Sequence, residues 1–259
     1  MNKIYLGSSG LLKKELALDE ARHLLNTDKV FTHPDFYLME PDCGKHSVCA
    51  VEKLVDFLSV SANEAEYKVV IIEKCHLATV EFQQAILKLL EDSTASFLLT
   101  AEERLLDTIH SRCTTVSIRE WSDAEMNQWI VSQGLSQNPV ARELSGGRPG
   151  IYRQVLSLEG LLKNAEVLKK GICEGALGAS IVSIGALSES FYETVGKEQS
   201  LLLIRFVERT LTAGLNGSKS IDRDLDAIEL CALEREKMRN RSYGKTESFR
   251  FWRALSSLN

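Results

Sequence analysis

Four consecutive branched aliphatic residues, Val69-Val70-Ile71-Ile72, constrain the fold of this chain more than any other feature. A strand with one wet face alternates apolar and polar side chains. A run without alternation suits a strand covered on both sides, as in a parallel sheet with helices on its two faces. Residues 4–6, 36–39 and 115–118 and the run Phe97-Leu98-Leu99 are further strand-like segments. Helical patterns separate them. Leu16, Ala17, Ala21, Leu24 and Leu25 share one helical face; Val51, Leu54, Val55 and Leu58 share a second; Phe82, Ala85, Ile86, Leu89 and Leu90 share a third. This alternation predicts an α/β domain over residues 1–118.

Strand signals stop after Trp121. Ser122-Asp123-Ala124-Glu125 has the form of a capping box, and Met126, Trp129 and Ile130 fall on one face of the helix it opens. Gly146-Gly147-Arg148-Pro149-Gly150 breaks that pattern and starts another helix. Further on, Ile204, Val207 and Leu211 form one apolar stripe and Ile221, Leu225, Ile228 and Ala232 another, with a turn expected at Asn216-Gly217-Ser218. The expected order is an α/β core over 1–118, a small helical lid over 119–160, and an all-helical domain over 161–259.

A net charge of −5 excludes a globally basic nucleic-acid binder, so any DNA contact would be a local patch. No apolar stretch is long enough to span a bilayer. No basic-then-apolar leader precedes residue 4, so a cytoplasmic location is expected. The six cysteines form no CxxC pair. Cys43 and Cys49 flank His46, but no second ligand pair follows, so zinc is not expected and free thiols are.

The segment Gly7-Ser8-Ser9-Gly10-Leu11-Leu12-Lys13-Lys14 sits between a strand and a helix, where a phosphate loop belongs. Only half of the G-x-x-x-x-G-K-[ST] pattern is present. Gly7 and Lys13 hold the first-glycine and lysine places, and Gly10 lies between them. Leu12 replaces the second glycine and Lys14 the hydroxyl that would hold Mg²⁺. After Val69-Val70-Ile71-Ile72, Glu73 stands where an Asp would bind the metal, and Lys74 where a glutamate would polarise water. Glu73 reads equally well as a solvated strand end. Thr100 ends a later strand, and Ser111-Arg112-Cys113 closes the run that begins at Leu105.

The blocks "KVVIIEKCHLATVEFQQAILKLLED", "SFLLTAEERLLDTIHSRC" and "ELSGGRPGIYRQVL" resemble, in the right order, the Walker B, sensor 1, Ser-Arg-Cys and sensor 2 blocks of the bacterial clamp-loader subunits, a family within the AAA+ class. The resemblance covers about residues 3–165. It implies an AAA+ core, then a helical lid, then a helical collar that assembles with other subunits. It also implies an arginine finger: Arg112, with Ser111 and Cys113 in the same motif, would stabilise charge on a phosphoryl group held by a neighbour. Gly7, Gly10, Lys13, Glu73, Thr100 and Arg148 would occupy the places of a nucleotide site that no longer works, so no ATP, metal or other cofactor is expected. The implied partners are the gamma/tau-type and delta-type clamp-loader subunits and, through them, the sliding clamp and primed DNA.

Two departures qualify the resemblance. The four-cysteine zinc module common in delta-prime-type subunits has no counterpart between His23 and His33, and no helix precedes the first strand. A retained finger with a broken site favours the delta-prime type. The alternatives are an active gamma/tau-type ATPase, which Leu12, Lys14 and Lys74 oppose, and a free-standing adaptor, which Arg112 opposes.

Overall fold

The computed structural model describes residues 2–42, 46, 49–186, 189–215, 221–238 and 243–258, excepting the side chains at 49, 189–194, 221 and 245. The chain divides into two compact units, Met1–Trp121 and Ser122–Asn259.

In the first unit five strands form one parallel sheet: β1 Lys3–Leu6, β2 Phe36–Met39, β3 Val69–Ile72, β4 Ser96–Ala101 and β5 Thr114–Ser117. Their order is β2-β3-β4-β1-β5. The helices are α1 Lys13–Leu25, α2 Cys49–Ser59, α3 Val80–Asp92 and the short α4 Asp107–His110. The unalternated run of β3 has the expected cause. Val69 and Ile71 pack with Ala17, Leu18, Ala21 and Leu25 of α1. Val70 and Ile72 pack with Leu54 of α2 and with Phe82, Ile86 and Leu90 of α3. All four β3 residues are fully buried, and each such side chain contributes about 1.5–3 kcal/mol by burial.

Two helical faces are shifted from expectation. On α1 Leu18 is buried while Leu16 is exposed, and on α2 Val55 is exposed. The α3 face is as expected, with Ala85 and Leu89 on its margin. Thr79 caps α3 by accepting the Phe82 N–H at 3.2 Å.

The second unit is built of α5 Asp123–Ser132, α6 Pro139–Ser145, α7 Pro149–Leu156, α8 Glu159–Cys173, α9 Leu177–Ser183, α10 Glu189–Gly214, α11 Ile221–Lys237 and α12 Lys245–Ser256. The capping box is present in full: Ser122 accepts from the Glu125 N–H, and Glu125 accepts from the Ser122 N–H at 2.7 Å. Helix α10 is kinked at Gly196, whose φ of 74° lies in the region that favours glycine. It packs against α6, α8, α11 and α12, burying Ile204, Val207 and Leu211 as the stripe implies.

Helix α11 corrects the sequence reading. Its buried face is Asp224, Ala227, Cys231 and Glu234, whereas Leu225 is exposed and Ile228 and Ala232 are half-buried; the side chain of Ile221 lies outside those described. Both buried carboxylates have partners. Asp224 pairs with Arg223 at 2.9 Å, and Glu234 accepts from the Tyr243 hydroxyl at 2.5 Å. Satisfied carboxylates can go inside where an apolar rule would place leucine. The turn expected at 216–218 lies outside the described residues. No helix among those described is long and apolar enough to cross a membrane.

Candidate functional site

Because β4 lies between β1 and β3, the carboxyl ends of these three strands bring the loop after Leu6, Glu73 and Thr100 to one edge of the sheet. In open α/β sheets that edge is where ligands bind. Gly7 is held there by its N–H to Ala101 O at 3.1 Å. A Cβ on Gly7 would lie 2.4 Å from Ile118 O, so only glycine fits. Gly10 has a φ of 81°. Leu12 adopts the left-handed conformation, φ 54°, immediately before α1. The loop thus keeps a glycine-like backbone shape with leucine in it, a conformation that costs an L-residue about 1–2 kcal/mol.

The polar groups at this edge are committed to one another. Lys13 is buried, and its ammonium donates to Gly7 O at 2.8 Å and Ser8 O at 2.6 Å, the carbonyls of its own loop. Burial lowers its pKa, with Glu102 acting in the opposite direction. Lys14 pairs with Glu73 at 2.9 Å and also with Glu40, which follows β2. Lys74, at φ 52°, donates its backbone N–H to the Thr100 hydroxyl at 2.8 Å. His46 Nε2 donates to Glu73 O at 2.6 Å, and its ring stacks on Phe82 with centroids 5.0 Å apart. Burial holds the His46 pKa below its usual value.

The groups that a magnesium–nucleotide complex would use are engaged within the chain. The loop lysine faces carbonyl oxygens, an ammonium stands in place of the metal-binding hydroxyl, and the Thr100 hydroxyl already accepts a backbone N–H. The zinc question at Cys43, His46 and Cys49 falls mostly on residues outside those described. Among the described residues no group of three or more His, Cys, Asp and Glu could hold a metal ion.

Arg112 lies just before β5, at the amino ends of the strands, whereas the loop and Glu73 stand at the carboxyl ends. Its guanidinium donates to Thr108 O at 2.9 Å and Ser111 Oγ at 3.1 Å, and it forms an ion pair with Glu91 of α3. Ser111 Oγ donates to Thr108 O at 3.0 Å. Cys113 packs against the core, and burial pushes its thiol up to about 11. Arg148, in the second unit, is buried at the start of α7 and donates Nε–H to Ser145 O at 2.8 Å. Gly146 before it has φ 56°, and a Cβ there would fall on the Arg209 guanidinium. The structure therefore brings Gly7, Gly10, Lys13, Glu73 and Thr100 together and sets Arg112 apart from them. Sequence reasoning missed Glu40, Glu91 and His46 as partners. Their signals are single polar residues far along the chain from the groups they contact.

A parallel sheet of this order, with a loop of phosphate-loop form after its first strand and helices on both faces, is a three-layer α/β core. Residues 12–122 match the family described as DNA polymerase III, delta subunit. The chain resembles DNA polymerase III subunit delta′ of Bacillus subtilis, at 30% identity over 44% of this chain and 35% of that one. The same subunit of Pseudomonas aeruginosa is 28% identical over 54% of this chain and 46% of its own length. The chain thus spans under half the length of these relatives. Among solved structures, a DNA polymerase III gamma-subunit-related protein from Thermotoga maritima superposes with a TM-score of 0.55 at 16% identity, over 98% of this chain and 93% of that one, and so shares its fold.

Proposed function

We propose that this protein is a non-hydrolysing, delta-prime-like subunit of a bacterial DNA polymerase III clamp loader. In that role it helps load the sliding clamp onto primed DNA in the cytoplasm, alongside gamma/tau-type and delta-type subunits. The likeness of residues 12–122 to the DNA polymerase III family supports the assembly. The observation that carries the non-hydrolysing part is the engagement of both loop lysines, Lys13 on its own carbonyls and Lys14 on Glu40 and Glu73. Residues 119–160 would act as the lid and 161–259 as the collar.

Arg112 is the residue offered to a neighbour. Its place at the edge opposite the chain's own loop supports action in trans, and its planar fork suits a transferring phosphoryl group. A finger contributes roughly 10³–10⁵ in rate where it is the main charge stabiliser, and less in a ring with several ATP sites. The test is reconstitution with gamma/tau-type and delta-type subunits. The chain should co-purify with them and show no ATP turnover alone. Arg112→Ala should lower the DNA- and clamp-stimulated ATPase with assembly intact, and Arg112→Lys should rescue it poorly. Turnover by the isolated chain, failure to assemble, or parental ATPase in both variants would each remove the corresponding part of the reading.

A further inference from the structure

Two carboxylates from different strand ends converge on one ammonium beside the loop. Glu40 follows β2 and Glu73 follows β3, and Lys14 Nζ at the start of α1 pairs with both, 2.9 Å from Glu73 Oε2. In a phosphate loop that binds nucleotide, the position of Lys14 carries a hydroxyl and the end of the acidic strand a carboxylate, both directed at Mg²⁺. Here a cation is supplied by the chain itself. We propose that Lys14 is a tethered replacement for the divalent ion: its ammonium neutralises Glu40 and Glu73 and locks the loop to the ends of β2 and β3 without metal or nucleotide. This rests on the non-hydrolysing reading and adds a positive structural role for the substitution.

Three further observations agree. The Glu73 side chain is only 16% exposed, so its charge needs a near partner. Hydrogen bonds to Lys14 hold the Glu40 carboxyl below its usual range. Burial works against the Lys14 charge, yet the bonds to Glu40 and Glu73 raise its pKa overall. Lys13 cannot serve instead, because its ammonium is held by Gly7 O and Ser8 O. Removing the Lys14 charge leaves two carboxylates at one strand edge, an arrangement that attracts a hard divalent cation with oxygen ligands.

The experiment uses the full chain with Mn²⁺ alone as probe, in the absence of nucleotide and partners. Binding is read by electron paramagnetic resonance and thermal melting. The parent should leave the free Mn²⁺ signal unchanged and its melting temperature unmoved. Lys14→Thr and Lys14→Met should melt lower in chelator and bind Mn²⁺ at least about tenfold more tightly than the parent, since the ammonium that repels a second cation at this edge is gone. Adding Glu73→Gln to Lys14→Met should abolish that binding and recover part of the lost stability. If Lys14→Met does not fold, recovery of folding by Glu73→Gln supports the lock, and failure to recover overturns it. Parental melting and no Mn²⁺ binding in the Lys14 variants would reduce the contact to an ordinary surface pair. Mn²⁺ binding by the parent equal to that of the variants would overturn the replacement, while ATP turnover or lost assembly bears on the functional reading instead.

Discussion

Asp35 has no exposed surface, and its carboxylate accepts the backbone N–H groups of Asn63, Glu64 and Ala65 at 2.7, 2.8 and 2.9 Å. It pins the loop that leads into β3, while its own carbonyl accepts the Val69 N–H at 2.8 Å. Burial alone would raise the Asp35 pKa; the three N–H bonds outweigh it and hold the group below its ordinary value. Asp35→Ala leaves three donors without their acceptor and should cost on the order of 3 kcal/mol, read as the shift in urea unfolding at neutral pH. Because the folded-state pKa is depressed, the contribution is fully present above the unfolded value of about 3.9 and is lost as pH falls through the folded one. The gap between parent and Asp35→Ala should therefore be constant down to about pH 5 and shrink below it. A gap that does not change with pH would mean that the ionised carboxylate is not the stabilising form. Asp35 was not legible beforehand. An acid between Pro34 and a strand reads as a turn residue, and its partners lie in a loop with no pattern of its own.

The central strands of the first unit, β3 and β4, were legible because both are buried throughout, and a strand buried on both faces is largely apolar. The runs at 36–39 and 69–72 coincide with β2 and β3, and the remaining strands differ by a residue or two at their ends. Helix α11 was misread because apolar periodicity assumes that charges stay outside, whereas Asp224 and Glu234 are buried with partners. The same blindness to distant partners hid the contact between α3 and the residues after α4. Arg112 is readable from its motif, but its pairing with Glu91 is not. If Arg112 acts on a neighbour's phosphate, that pair must open on assembly. Both side chains are partly exposed, 37% and 46%, so opening costs no more than about 1 kcal/mol. Glu91→Ala should leave the melting temperature of the free chain nearly unchanged. In the reconstituted complex it should raise the stimulated ATPase, or lower the partner concentration needed for it, by up to about fivefold. A drop comparable to that of Arg112→Ala would instead assign Glu91 a positive role in the assembled site.

At the scale of the whole molecule, the sequence suggested three segments and the structure shows two compact units, with the boundary at Trp121 and Ser122. Helices on the two sides of residue 160 touch, α6 with α8 and α10 and α7 with α8, and a cut at 160 would pass just inside α8. The Gly-rich segment at 146–150 separates two helices, and its close approach to Arg209 of α10 ties it into the second unit. The useful truncation is therefore between 121 and 122. Residues 1–121 contain the whole sheet, both faces of its core and the Asp35 clamp, at a length ordinary for a single domain. They should melt cooperatively when expressed alone, with near-parental resistance to proteolysis. Residues 122–259 carry the exposed apolar side chains Val131, Val182, Leu225 and Leu233, alongside their own buried centre around Trp252 and Phe206. If these helices form the collar, this half alone should co-purify with the other clamp-loader subunits, while residues 1–121 should not. Neither half should restore stimulated ATPase, because Arg112 and the assembling helices would then sit on different molecules. Assembly by residues 1–121 and not by 122–259 would move the partner surface to the α/β unit and remove the collar assignment.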